Sequence, residues 1–195
     1  MKRPALALSV ALAIAIILSY AFASVFVYYP ITVNLSPVNP PIVFQYGRNA
    51  NEDDLGNGNI IGVSIGPDGA RLTLTLHPTR QHNYYKEVSL IENTDGKAYY
   101  ITVRVNSAAN LPSGSVARLL IYDRPIGGTL VANVNLLATG DTSASATISA
   151  SGTPGSVWRI DLYIFIPEGS SVSATSAFVQ LIYSPSSETP PEVPP

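Results

Sequence analysis

Apolar and polar residues alternate along most of the chain from Leu72 to Ile166, and this period of two most constrains the fold. Leu72, Leu74 and Leu76 share one face, with Arg71, Thr73 and Thr75 on the other. Tyr99, Ile101, Val103 and Val105 alternate with Tyr100, Thr102 and Arg104. The pattern returns in Leu130, Ala132, Val134 and Leu136 and in Ala144, Ala146, Ile148 and Ala150. Its longest row is Trp158, Ile160, Leu162, Ile164 and Ile166, offset by Arg159, Asp161 and Tyr163. Successive side chains of a strand point to opposite faces, so each segment reads as a strand with one face buried and one wet. No sustained helical period follows the N-terminal apolar run. Gly66-Pro67-Asp68-Gly69 and Asn93-Thr94-Asp95-Gly96 each separate two strand candidates with turn chemistry. The expected fold is all-β: a single antiparallel β-sandwich over residues 37–183, Ig-like or jelly-roll.

The N-terminus reads as an address. Lys2 and Arg3 precede an unbroken apolar run from Ala5 to Tyr20, and Ala21-Phe22-Ala23 fits the small-x-small pattern of signal peptidase. Residues 1–23 are therefore expected to be a signal peptide cut before Ser24, which implies an extracellular or cell-surface location. The competing reading is a retained anchor, since Ala5 to Val27 is long enough to cross a bilayer, and only then is the membrane a partner. A type IV pilin-like leader fits worse, because the start lacks a site for that cut and Pro30 stops the long helix such a pilin needs. At the other end, residues 184–195 are Pro-rich without apolar periodicity and read as an extended tail, free to project and mediate bundling.

Composition closes off several kinds of chemistry. The chain has no Cys, which excludes disulfide frameworks, CxxC zinc sites and a cysteine nucleophile. Charged residues make up 12%, about half the usual share of a soluble domain. Eleven basic residues less Lys2 and Arg3, against thirteen acidic ones, leave a mature net charge of −4, which gives no attraction to nucleic acid. No HExxH, GxSxG or P-loop is present, and Gly56, Gly58 and Gly62 lack the spacing and strand-to-helix context of a dinucleotide site. His77 and His82 read as surface residues of a connection. Asn49, Asn51 and Asp53 echo the first ligand positions of a calcium loop. Asp54 stands where such a loop needs Gly and no bidentate acid follows, so a solvated acidic loop over 47–59 is the stronger reading. Neither an enzyme nor a cofactor is expected.

The discriminating segment is residues 24–36. Val25, Val27, Tyr29, Ile31, Val33 and Leu35 occupy every odd position, while Pro30, Thr32 and Asn34 fall on even ones. Two readings are open. The stripe is the first strand of its own sandwich, or it is a donor strand that fills a groove in the next subunit and so builds an open head-to-tail filament. Asn34 is also the candidate acceptor of the one N-glycosylation sequon, Asn34-Leu35-Ser36, although Pro37 follows at once.

The runs Tyr28-Tyr29-Pro30-Ile31-Thr32-Val33, Pro41-Ile42-Val43-Phe44, Leu76-His77-Pro78-Thr79, Tyr84-Tyr85-Lys86-Glu87-Val88 and Ile91 to Tyr100 carry a resemblance. Over residues 1–105 the chain resembles the archaeal bundling pilins and thread subunits, which are similar in turn to bacterial TasA/camelysin biofilm fibre proteins. The likeness lies in turns and aromatic strand residues, with no chemical signature. It implies a secreted fibre subunit joined by donor-strand complementation, with Val25 to Leu35 as donor. The resemblance extends to threads whose subunits are joined by isopeptide bonds. The mature chain offers only Lys86 and Lys97 as amines, Lys86 beside Glu87, and a solvated lysine is the stronger reading.

The expected function is thus a structural one: a self-assembling homopolymer whose other partners are neighbouring filaments, with a role in adhesion or biofilm bundling. Low charge and eleven tyrosines suit a surface that is buried in a polymer. The alternative is a cell-surface binding module, anchored or free, for polysaccharide or surface-layer contact. It would use Tyr84, Tyr85, Tyr99 and Tyr100 as exposed aromatics.

Overall fold

The computed structural model describes residues 8–16 and 29–191. The chain divides into two compact units, Met1–Pro37 and Val38–Pro195. Residues 8–16 form a short helix, and no helix among the described residues is long and apolar enough to cross a membrane. The expected cleavage before Ser24, together with Val25, Val27 and residues 192–195, lies outside the described residues.

The second unit is an all-β sandwich of antiparallel strands. In chain order these are β1 (Ile42–Tyr46), β2 (Gly62–Ile65), β3 (Leu72–Thr75), β4 (His82–Asn93), β5 (Tyr99–Ser107), β6 (Val116–Tyr122), β7 (Leu130–Asn135), β8 (Gly140–Ile148), β9 (Val157–Phe165) and β10 (Phe178–Ser184). Five strands form one sheet in the order β1-β4-β9-β6-β7, three form a second in the order β10-β5-β8, and β2-β3 is a separate hairpin. The Gly66–Gly69 and Asn93–Gly96 turns fall where turn chemistry places them, between β2 and β3 and between β4 and β5.

The rows of alternating residues supply the core. Trp158, Ile160, Leu162 and Ile164 of β9 face Ile101, Val103 and Val105 of β5 through one continuous buried cluster. Trp158 is completely buried, and a Trp or Phe in such a site is worth about 3–5 kcal/mol against Ala. Asn93 is buried at the β4–β5 turn. Its Nδ2 donates to the carbonyls of Lys97 (2.7 Å) and Ser149 (2.8 Å), and its Oδ1 accepts from the Asp95 amide (2.9 Å), pinning the turn to the chain just beyond β8. The Ala144–Ala150 row is less regular than its sequence suggests. The pairing of β5 with β8 shifts register between Tyr100 and Thr102, and Ala146 is exposed while Ile148 is buried.

A second irregularity shapes the larger sheet. Between Tyr85 and Ser89 the β4–β9 pairing bulges, and Glu87 adopts a positive φ of 49°. Its amide, freed from the ladder, donates to Asp161 Oδ1 at 2.6 Å. The 47–59 loop after β1 docks on this bulge through Gly47 N to Val88 O (3.4 Å) and Asn49 N to Glu87 O (3.2 Å). A Cβ at residue 47 would lie 2.0 Å from the Glu87 carbonyl oxygen, so only glycine permits the approach. Arg159 and Asp161, which alternation places on a wet face, are consequently buried.

Candidate assembly surface

Within the first unit, residues 29–37 carry no regular secondary structure and all are exposed. Tyr29, Ile31, Val33 and Leu35 are 82%, 85%, 71% and 86% exposed. A four-residue apolar row in water is unusual, because soluble chains bury such rows or use them as contact surfaces. The described part of the stripe is thus a solvated segment that joins no ladder among the described residues. Asn34 shares this exposure and lies outside any strand.

The second unit has several strand edges. The outer edge of β1 is met by the hairpin turn, with Phe44 N donating to Gly69 O at 2.8 Å. The free flank of β2 is taken by the 47–59 loop, where Val63 N donates to Asn51 Oδ1 at 3.0 Å and Asn51 N to Ile61 O at 2.8 Å. β7 lies against β8. β3 and β10, like β7 and β8, end their sheets and pair on one side only. Their core-facing residues are half-buried: Leu72 and Leu74 on β3, Val179 and Leu181 on β10. Val179 and Leu181 pair with Val105 and Val103, which are 2% exposed. One strand's width therefore separates a sealed core from an open one.

The polar residues singled out in the sequence serve the fold. Asn49 Nδ2 donates to Lys86 O at 2.7 Å, and Asn51, at φ 62°, holds β2 through its side-chain oxygen. Both amides are thereby spent on closing the 47–59 loop, while Asp53 is exposed at an isolated bridge with Ile60. Among the described residues no group of three or more His, Cys, Asp or Glu could hold a metal ion. Lys86 and Lys97 are exposed, and the buried Glu87 has its ion-pair partner in Arg48 at 4.0 Å. Of the four tyrosines expected at the surface, Tyr84 and Tyr100 are exposed, but Tyr85 and Tyr99 are buried in the core. The Pro-rich tail begins folded back: Arg104, paired with Asp141 at 2.7 and 2.8 Å, also donates to Pro191 O at 3.1 Å.

Two titratable clusters form that spacing alone does not disclose. Asp161 receives the Tyr84 hydroxyl at 2.6 Å and lies 2.9 Å from Arg159 Nε. The Arg159 guanidinium sits 4.2 Å over the Tyr122 ring and donates to Pro125 O at 2.7 Å. Burial, then the bond to Asp161, pushes the Tyr84 phenol well above its ordinary value. Asp54 accepts from the Leu55 amide (2.7 Å) and the His77 amide (2.8 Å), with His77 Nδ1 at 3.0 Å. Burial raises the Asp54 carboxyl, but these bonds together outweigh it and hold the group below the ordinary carboxylate range. His82 stacks on Phe165 and meets the Tyr163 hydroxyl at 2.6 Å. A hollow of about 540 Å³ beside this cluster is lined by Asp53, Asp54, Thr79, His82 and Tyr84 among others. The carboxylates of both clusters are occupied by internal donors, which suits them to fixing loops on the sheet.

No protein-family model matches the chain, and no match is found among the curated proteins.

Proposed function

We propose that this protein is a secreted structural subunit that polymerises head-to-tail into an extracellular filament by donor-strand complementation. The observation that carries the reading is the row Tyr29, Ile31, Val33 and Leu35, standing exposed and outside any strand. Such a row is costly in an isolated monomer. Inserted into a neighbour, it gains backbone pairing along its length and burial of alternate side chains. Donation in one direction along the chain is heterologous and yields an open fibre, with a role in adhesion or biofilm bundling. The resemblance to bundling pilins and thread subunits supports the same reading. Negative-stain microscopy of the chain beginning at Ser24, beside one beginning at Ser36, tests it. Filaments from the first and monodisperse particles from the second are expected. Monodisperse, folded particles from both would refute the proposal.

A second reading, a surface module for polysaccharide, is favoured by the hollow beside Tyr84 and His82. It predicts a monomer retained on an immobilised glycan, with retention lost in Tyr84→Ala.

A further inference from the structure

We infer that the acceptor for residues 29–35 of a second copy is the open flank of the sandwich between β10 and β3. The inference rests on the filament reading above and names the surface that reading requires.

Topology brings the two free edges to one flank. β7 and β8 are consecutive and lie against each other, without a ladder between them, at one end of both sheets. Counting back through each strand order leaves β1 and β10 at the opposite end. The β2–β3 hairpin lies against β1 at that end. The larger sheet has five strands and its partner three, so the smaller sheet ends short of the core it faces. The hairpin covers part of the shortfall with Ile65, Leu72, Leu74 and Leu76, all packed on the same core cluster as Val179 and Leu181. A strand added on this flank would pair with the free edge of β10 and extend the cover over the core cluster that Leu72, Leu74, Val179 and Leu181 share.

The donor segment fits this position in length, phase and charge. β10 is seven residues long, as is the described stripe from Tyr29 to Leu35. With odd residues facing the core, Tyr29, Ile31, Val33 and Leu35 would extend the layer of Val179 and Leu181. Thr32 and Asn34 would then share the outer face with Gln180 and Ile182. Pro30, which cannot donate to a ladder, falls next to the end of the segment, where one missing bond costs least. Residues 29–35, β3 and β10 contain no charged residue, so no ion is desolvated on insertion. Among the described residues no strand pairs with the free edge of β3 or of β10, and the exposed row at 29–35 of a second copy offers a segment of matching length and phase.

The absence of cysteine allows a direct test in the full chain. Directly opposed residues on neighbouring strands have Cβ atoms about 4.5–5.5 Å apart, near the range a disulfide spans. Thr32→Cys is combined with Gln180→Cys or with Ile182→Cys, two outward positions that bracket the register. Asn133→Cys on β7 replaces the β10 cysteine in a control. Under mild oxidation one β10 pair is expected to give a ladder rising in steps of one subunit, collapsing to monomer on reduction, with the control remaining monomeric. Filaments that form without a β10 ladder, or with an equal ladder from the control, would overturn the acceptor assignment and leave the filament reading standing. An oxidised species of monomer mass would show the segment folding back on its own subunit and overturn exchange between copies. Absence of both filaments and ladder would remove the filament reading and this inference with it.

Discussion

Ile31→Asp isolates the donor stripe from the fold. Ile31 is 85% exposed and belongs to the first unit, so the substitution removes nothing from the core of the sandwich. In the proposed filament the same side chain would be buried. Burying one large aliphatic side chain is worth about 1.5–3 kcal/mol. Placing a carboxylate there instead adds a desolvation cost of at least about 2 kcal/mol, even after partial relaxation. Each junction should therefore weaken by about 4 kcal/mol, roughly a thousandfold in association constant at 1.4 kcal/mol per decade. The assay is sedimentation of polymer across a concentration series, with thermal melting of the unpolymerised protein as the check on folding. The expected result is a critical concentration raised by about three orders of magnitude with an unchanged monomer melting temperature. Thr32→Asp, on the opposite face, should shift it far less. Polymerisation of Ile31→Asp at the wild-type concentration would refute the reasoning.

Three further predictions concern the fold of the second unit. Asp161→Asn leaves the Arg159 cation buried without its counter-charge, an expected loss of about 3–5 kcal/mol in urea unfolding; a loss below 1 kcal/mol would show that the pair does not hold the bulge. Gly47→Ala forces the 47–59 loop off the Glu87 carbonyl, at a cost of roughly 1–3 kcal/mol, with faster amide exchange in that loop as its local signature. Asp54, Asp95 and Asp141 are all held below the ordinary carboxylate value of 3.8 in the folded state. A lowered folded pKa gives stability that is present above that value and lost as pH falls through and below it. Unfolding free energy should thus decline below about pH 4. Asp54→Asn should lower stability at pH 7 by about 1–3 kcal/mol while flattening the acid limb, and an acid limb as steep as wild type would contradict this.

The strands were legible because period-two alternation is a local property: Ile101, Val103 and Val105, and Trp158 through Ile166, are buried as their phase requires. The failures are equally physical. Arg159 and Asp161 occupy the outer phase of β9 and would be wet in a regular sheet. They are buried because a bulge in β4, dozens of residues away, turns an amide toward Asp161 and a loop carbonyl from Pro125 caps Arg159. Tyr85 and Tyr99 differ from Tyr84 and Tyr100 in burial only through strand phase, which a pair of adjacent tyrosines does not reveal. The apolar row at Tyr29, Ile31, Val33 and Leu35 was visible in the sequence, but its solvation was not. The unpaired edges depend on which strands end each sheet, a product of long-range pairing that no window of sequence contains. Asn49 and Asn51 resembled ligands because loop-closing amides and metal-binding amides are the same residue types.

Complementation between two disabled subunits tests the central claim most directly. One chain carries Ile31→Asp and keeps its acceptor flank, while the other carries Leu181→Arg and keeps its donor stripe. Sedimentation velocity of each alone should show monomer, and an equimolar mixture should show a single species of twice the subunit mass that grows no further. A mixture that sediments as monomers, or either variant polymerising alone, would contradict assembly by strand donation from residues 29–35 to the β10 flank.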